Sequence, residues 1–331
     1  MPYSKFELLW GINISSLYIN LEENIYKGFG GKMRIFVCID IGGTSIKYGL
    51  INEEGLIIKN DLVDTEAHNG GPYIIEKVKG IIRKFLNEYK LSGICISTAG
   101  MVCPTKGEII YSGKAIPNYK GTKIKEILEE EFNIRCEVEN DVNCAALGEL
   151  WKGSGKEVKS MACLTIGTGI GGAIILDGNI VHGFSNSAGE IGYMIVNREK
   201  FQDIASTTAL VKKVAKRKGI LPKDINGRYV LNGYENGDMI CKEEVENLID
   251  ILAIGITNIS YLFNPETVVL GGGIMEREDI FRPLFNKALK KYMIDKLYLD
   301  TNIQFAKLKN TAGMIGALYN FLNKESFEIK S

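Results

Sequence analysis

Two stretches of this chain repeat one order of local signals, and that repeat limits the folds open to it. In the first, at 34–63, the apolar run Ile35-Phe36-Val37-Cys38-Ile39 leads into Asp40-Ile41-Gly42-Gly43-Thr44. A second strand-like run follows at 45–51, then an Asn52-Glu53-Glu54-Gly55 turn and a third run at 56–63. In the second, at 160–183, Met161 to Ile166 reads as a strand, Gly167-Thr168-Gly169-Ile170-Gly171-Gly172 as the turn, and Ala173 to Leu176 as the next strand. Asp177-Gly178 is a tight hairpin signal, and Ile180-Val181-His182 completes the set. The order occurs twice without a fixed short period, so it is a duplicated supersecondary unit and not a solenoid. Glycine turns expose backbone N–H groups, and successive exposed N–H groups bind anions. Taken alone, the first turn fits a phosphate-binding hairpin of an ATP-using protein as well as an ordinary hairpin. In the former, Asp40 would hold a hydrated Mg2+ and Thr44 would offer a hydroxyl. A second unit facing it would bring two glycine turns to one nucleotide, which favours the phosphate reading.

The rest of the pattern alternates helices and strands. Apolar residues at 72–90 recur at helical spacing, with Pro72 in the first turn. Ile94 to Ser97 is a buried-strand run that ends in the small-residue loop Thr98-Ala99-Gly100. A helix is expected at 122–132 with Thr122 as its N-cap, a strand from Ile134 to Val138, and an alanine-rich helix from Val142 to Trp151. Further helices are expected at 203–218, 241–263, 278–291 and 311–323, with strands at Thr267 to Leu270 and Ile303 to Ala306. Asn264-Pro265 stops the second of these helices, and the basic residues Lys212, Lys213, Lys216, Arg217 and Lys218 read as a solvated face of the first.

The 331 residues suffice for two domains, and 40 Lys and Arg balance 40 Asp and Glu, which gives no electrostatic case for a nucleic-acid or membrane partner. No uninterrupted apolar stretch reaches bilayer length. Seven scattered cysteines without a C-x-x-C pair, and two histidines, make neither a disulfide framework nor a Cys/His zinc site expected, and point to a reduced, cytoplasmic protein.

Gly167-x-Gly169-x-x-Gly172 formally matches a dinucleotide fingerprint, but that fingerprint requires a helix after the turn, whereas β-branched residues and an Asp-Gly turn follow here. There is no Gly-x4-Gly-Lys-Ser/Thr sequence either. Asp141 follows a strand and opens a helix, where it could be an N-cap or the base that accepts a hydroxyl proton in phosphoryl transfer; spacing alone does not separate the two. Glu190, between Gly189 and Gly192, could be a solvated turn acid or a ligand for two neighbouring sugar hydroxyls. Gly271-Gly272-Gly273 after a strand could be a plain loop or bare backbone under an adenine ring.

In their order along the chain, several stretches resemble the ROK family of sugar kinases and repressors. These are Asp40 to Thr44, Glu139-Asn140-Asp141-Val142-Asn143-Cys144-Ala145-Ala146-Leu147-Gly148-Glu149, Thr165 to Gly172, Gly189-Glu190-Ile191-Gly192, Ala205-Ser206 and Asn264 to Gly273. The likeness runs from about 33 to 325. It implies an actin-like, ribonuclease H-like α/β fold of two domains around a cleft, each built on the duplicated β-rich unit. The expected division is an N-terminal extension at 1–32, a small domain of 33–143 plus 310–326, and a large domain of 144–309. It further implies that Asp40, Gly42, Gly43 and Thr44 form one phosphate loop, with Asp40 near Mg2+, and that Thr165, Gly167, Thr168 and Gly169 form the other. Gly271, Gly272 and Gly273 would lie by the adenosine of ATP. Asn140, Asp141 and Glu190 would bind sugar hydroxyls, with Asp141 the catalytic base.

Two departures from that pattern concern the sugar. Tyr193 stands where the family often has a histidine that touches both the sugar and a structural zinc, and the stretch from Asn197 to Asp203 lacks the zinc-binding cysteines. Gln202 replaces an acid. A zinc site is therefore not expected, and Tyr193 and Gln202 are read as neutral hydrogen-bonders to the sugar. The expected activity is ATP- and Mg2+-dependent phosphorylation of a hexose or hexose derivative by a homodimer. The other readings are a sugar-responsive regulator, which needs a DNA-binding domain that 1–32 is too short to hold, and an inactive sugar-binding protein. Residues 1–32 have no clear period, and Gly28-Phe29-Gly30-Gly31 reads as a linker, so a chain started at Met33 is expected to keep its solubility and activity. Expression of that shortened chain checks this, and loss of either property refutes it.

Overall fold

The computed structural model describes residues 33–113 and 116–330, so the expectation for 1–32 lies outside the described residues. In chain order, the first half holds β1 (Ile35–Ile41), β2 (Ser45–Asn52), β3 (Ile57–Asp64), α1 (Gly71–Leu86), β4 (Gly93–Thr98), β5 (Met101–Cys103), β6 (Glu108–Tyr111), α2 (Ile124–Phe132), β7 (Cys136–Asn140) and α3 (Asp141–Lys152). The second half holds β8 (Met161–Ile166), β9 (Ile170–Leu176), β10 (Asn179–Ile180), β11 (Ile195–Val196), β12 (Glu199–Lys200), α4 (Phe201–Ala205), α5 (Thr207–Lys218), α6 (Gly227–Glu235), α7 (Met239–Phe263), β13 (Thr267–Gly271), α8 (Glu278–Tyr292), α9 (Asp295–Asp300), β14 (Asn302–Phe305) and α10 (Ala312–Lys330).

The duplication is visible in the pairing. The first sheet runs β3-β2-β1-β4-β7 and the second β10-β9-β8-β13-β14. In each, an antiparallel three-strand meander continues into two parallel strands. Parallel strands need crossover connections, and sheets covered on both faces read as continuous apolar runs; β1 and β4 are buried along almost their whole length. Parallel registry also sets the site. Asp40 on β1 lies opposite Ser97 on β4, and Ser97 opposite Glu139 on β7, so three polar residues share one level near the carboxyl ends of three strands.

One core lies under the first sheet against α1 and α2. The larger second core is built around α7. By length and composition α7 could cross a membrane, but 56% of its most apolar window is buried inside the protein, so it serves as the central core helix. Helix α10 packs on the other face of the first sheet, where Met314, Leu318 and Phe321 meet Phe36, Cys38 and Cys95. It also crosses α3, and a Cβ at Gly316 would stand 1.6 Å from the Cys144 carbonyl oxygen. A Cβ at Gly148 would stand 2.6 Å from the Ala312 oxygen. The two helices approach backbone to backbone, which only glycine permits.

Local expectations shift at several points. Thr122 does not cap α2: its hydroxyl donates to the Tyr119 carbonyl, and Lys123 takes the N-cap position without a side-chain bond. The expected helix at 203–218 is two helices, broken at Ser206, whose hydroxyl accepts from the Ala209 amide and starts a new one. The second unit's turn is shorter than expected because Ile170, Gly171 and Gly172 already pair with β8. Its third strand is only Asn179–Ile180. The last helix runs on to Lys330.

Replacing Gly316 with alanine forces the two helices apart and is expected to destabilise the fold by about 2–3 kcal/mol. Gly80 lies exposed in α1, and a Cβ there would meet nothing within 4 Å, so Gly80→Ala is expected to stabilise by up to about 1 kcal/mol. Denaturant unfolding of the pair checks both signs.

Candidate active site

Strand β7 delivers Glu139 and Asn140 to its end, and α3 starts at once with Asp141. Asn140, not Asp141, is the N-cap: its Oδ1 accepts from the Val142 and Asn143 amides at 2.9 and 3.0 Å. Its amide nitrogen donates to the Gly100 carbonyl and to Asp141 Oδ1, both at 2.9 Å. Asp141 Oδ1 also accepts from the Val142 amide, so the hydrogen bonds of Asp141 among the described residues all fall on that one oxygen.

Behind this pair lies a residue of the same motif for which the sequence suggests no role. Glu139 is buried, with Oε1 accepting from the Asn140 amide at 2.8 Å and from Asn143 at 3.0 Å. Its Oε2 meets His182 Nε2 at 2.8 Å. Burial favours the neutral acid, but the hydrogen bond and charge of His182, with Asn143 and the Asn140 amide, hold Glu139 below the usual carboxylate range. His182, from the end of the second β-unit, thus anchors the strand end that carries Asn140 and Asp141.

Asp40 is held by the Ser97 hydroxyl at 2.6 Å and has Lys47 at 3.7 Å. A Cβ at Gly313, in the first turn of α10, would stand 2.6 Å from its carboxyl carbon, so α10 reaches the site through bare backbone. Burial raises the Asp40 pKa, although Ser97 and Lys47 pull the other way. Asp141 is raised further, to about 7, first by burial and then by the charges of Asp40 and Glu190. Glu190 is itself raised by burial. Burial thus disfavours ionisation of all three carboxyls, and the charges of Asp40 and Glu190 add to it at Asp141, a pattern typical of functional sites.

A cavity of about 350 Å3 is lined by Asn140, Asp141, Thr165, Gly167, Thr168, Gly169, Glu190, Tyr193, Gln202 and Gly272. An adjoining pocket of about 120 Å3 takes in Thr165, Gly271, Gly272 and Gly273 with Met275 and Lys309. Asp40, Gly42, Gly43 and Thr44 line neither; Asp40 reaches the site through its charge on Asp141. Gly43, Gly167 and Gly273 each face open space where a side chain would project, which leaves backbone accessible to a ligand. The donor set suits a hydrated divalent cation at Asp40: a hard carboxylate oxygen, open backbone beside it, and an excess of negative charge that a cation would relieve. Ser97, His182 and Gly313 are further residues of the site, and each becomes apparent only through partners distant in sequence.

The twin sheets flanking a cleft are the actin-like ATPase fold. The ROK family profile matches residues 36–324. An uncharacterised protein of Clostridium perfringens (strain 13 / Type A) is 66% identical over 295 residues, covering 89% of this chain and 99% of its own. The β-glucoside kinase of Listeria innocua is 36% identical over 296 residues, covering 87% and 97%. The structure of a ROK family protein from Streptococcus pneumoniae TIGR4 in complex with sucrose superposes with a TM-score of 0.78 at 31% identity, covering 88% of this chain and 99% of the other. The chain belongs to the ROK family, and it is a sugar kinase.

The raised Asp141 pKa has a consequence for stability. A carboxyl with an ordinary value of 3.8 and a folded value of about 7 binds its proton more tightly in the folded state. The cost to the fold is absent below the ordinary value, grows as pH rises, and is complete above the folded value. Asp141→Asn keeps the Asn140 contact without the charge. It is expected to melt above the wild type at pH 8 and to lose that margin by pH 4, and thermal scans at the two pH values check this.

Proposed function

We propose that this chain transfers the γ-phosphoryl group of ATP to the 6-hydroxyl of a hexose or hexose derivative, glucose-like or N-acetylmannosamine-like. The observation that carries the reading is Asp141, a carboxyl of near-neutral pKa in the wall of a sugar-sized cavity that adjoins a glycine-lined one. A base is most effective when its pKa lies near the working pH. In this reading Asp141 takes the hydroxyl proton as the oxygen attacks phosphorus. Asn140, whose side chain is fully engaged by Gly100, Asp141, Val142 and Asn143, orients Asp141 rather than bonding the sugar itself as the sequence led one to expect, and Glu190 accepts hydrogen bonds from the sugar hydroxyls. Tyr193 and Gln202 bond the far end of the sugar through neutral groups.

Phosphoryl transfer depends on positioning and electrostatic stabilisation. The amides of Gly42, Gly43 and Thr44 on one side, and of Gly167, Thr168 and Gly169 with the Thr165 hydroxyl on the other, are assigned to the phosphates. Gly271, Gly272 and Gly273 are assigned to the adenosine. Mg2+ held through water at Asp40 would supply positive charge to the phosphate oxygens. ROK sugar kinases use ATP, and the glucokinase of Streptomyces griseus has been solved with glucose and AMPPNP. Two domains, 33–143 with 310–326 and 144–309, closing on the cleft would exclude the water that competes with the sugar. The packing of α10 on the first sheet supports that division. We assign the active species to a cytoplasmic homodimer. The β-glucoside kinase relative brings glucosides into the candidate substrates.

A coupled assay of ADP release over glucose, N-acetylmannosamine, fructose, allose and β-glucosides is expected to find at least one turned over. Asp141→Asn is expected to lower that turnover by about 10²- to 10⁴-fold with ATP affinity nearly kept. Near-normal turnover by the variant removes Asp141 from the base role, and no ADP release with any sugar removes the kinase reading.

A further inference from the structure

The sugar cavity is lined mainly by glycines, polar side chains and two carboxylates, yet among the described residues two aromatic rings stand in its wall, Tyr111 and Tyr193. They come from opposite halves of the molecule: Tyr111 ends β6, and Tyr193 follows Glu190 on the other side. They are 45% and 43% exposed, so both occupy the mouth and not the floor. Tyr111, with burial, raises the Tyr193 pKa and Gln202 pulls it back, so the three side chains lie near one another at the mouth. The Lys200 ammonium sits over the Tyr193 ring at 5.6 Å and occupies one face. Met101, an adaptable apolar side chain, also lines the wall.

A kinase site for a small polar hexose has no need of two half-exposed rings at its entrance. The polar floor already supplies hydrogen bonds, and open aromatic surface in water is unfavourable until something flat covers it. We propose that Tyr111 and Tyr193 form an aglycone subsite, which stacks the second ring of a glycoside, aryl or glycosyl, whose glucose-like ring lies on the floor by Asp141. The proposal rests on the hexose-kinase reading and extends it. A ring that leaves the cavity between the tyrosines meets aromatic faces, while its own hydroxyls point to solvent.

The test is steady-state kinetics of ADP release with phenyl β-D-glucoside, methyl β-D-glucoside and glucose. The wild type is expected to prefer the phenyl over the methyl glucoside in kcat/KM by about tenfold, the size of one good aromatic contact. Tyr111→Ala is expected to remove most of that preference, whereas Tyr111→Phe and Tyr193→Phe, which keep the rings, retain it. No preference in the wild type, or a preference that survives Tyr111→Ala, overturns the subsite. Equal loss in the Phe and Ala variants also overturns it, since the pair is then a hydroxyl latch between the two halves. Turnover of glucose without aryl preference refutes the subsite alone; no turnover of any sugar refutes the kinase reading. In that second case calorimetric titration of phenyl against methyl β-glucoside, with and without Tyr111→Ala, still decides the subsite, and equal affinities overturn it.

Discussion

Everything in the cleft depends on the registry of three parallel strands. Because β1, β4 and β7 end side by side, Asp40, Ser97 and Glu139 stand level, and the chain that leaves β7 must place Asn140 and Asp141 near Asp40. Carboxyls brought this close in a poorly solvated cleft raise one another's pKa. The near-neutral Asp141 is therefore a product of topology as much as of its own surroundings. The same registry repeats in the second sheet, where Thr165 lies opposite Gly271 and the two glycine segments meet at one edge.

The two halves are joined where backbone meets backbone. The α3–α10 crossing at Gly148 and Gly316 brings α10 close enough for Gly313 to rest on Asp40, while α3 carries Asp141 at its first turn. The helix that begins with Asp141 and the helix that backs Asp40 are thus a single packed pair. Glu149 strengthens the join, with its two carboxylate oxygens accepting from the Leu308 and Ser154 amides. A shift of one helix along the other would disturb Asp40 and Asp141 together, so the pair has to move as a unit in any closure of the cleft.

Much of this was legible in the sequence because its signals are local. Apolar runs bounded by glycine turns mark both β-units, and the order of motifs matches the family across nearly all described residues. What was not legible turns on choices between neighbours or on distant partners. Asn140 and Asp141 are both good N-caps, and only the observed bonds to Val142 and Asn143 select Asn140. Ser206 breaks a helical pattern that contains no proline or glycine, so the break is set by its hydroxyl and not by a punctuating residue. His182 lies 43 residues from Glu139, and no spacing rule connects them.

The Glu139–His182 pair shows why the second β-unit matters beyond its glycine turn. The third strand of that unit is only two residues long, and the chain past it leaves the sheet and turns toward β7. There His182 supplies the partner that keeps a buried carboxylate ionised, and without such a partner burial would favour its protonated form. Further along, the same loop presents Glu190, and then Tyr193 at the mouth. One short connection therefore sets the support behind Asp141, the position of Glu190 in the cavity wall and the ring at the entrance. The duplicated unit supplies the frame, and the loop that departs from it carries the features most able to distinguish one sugar from another.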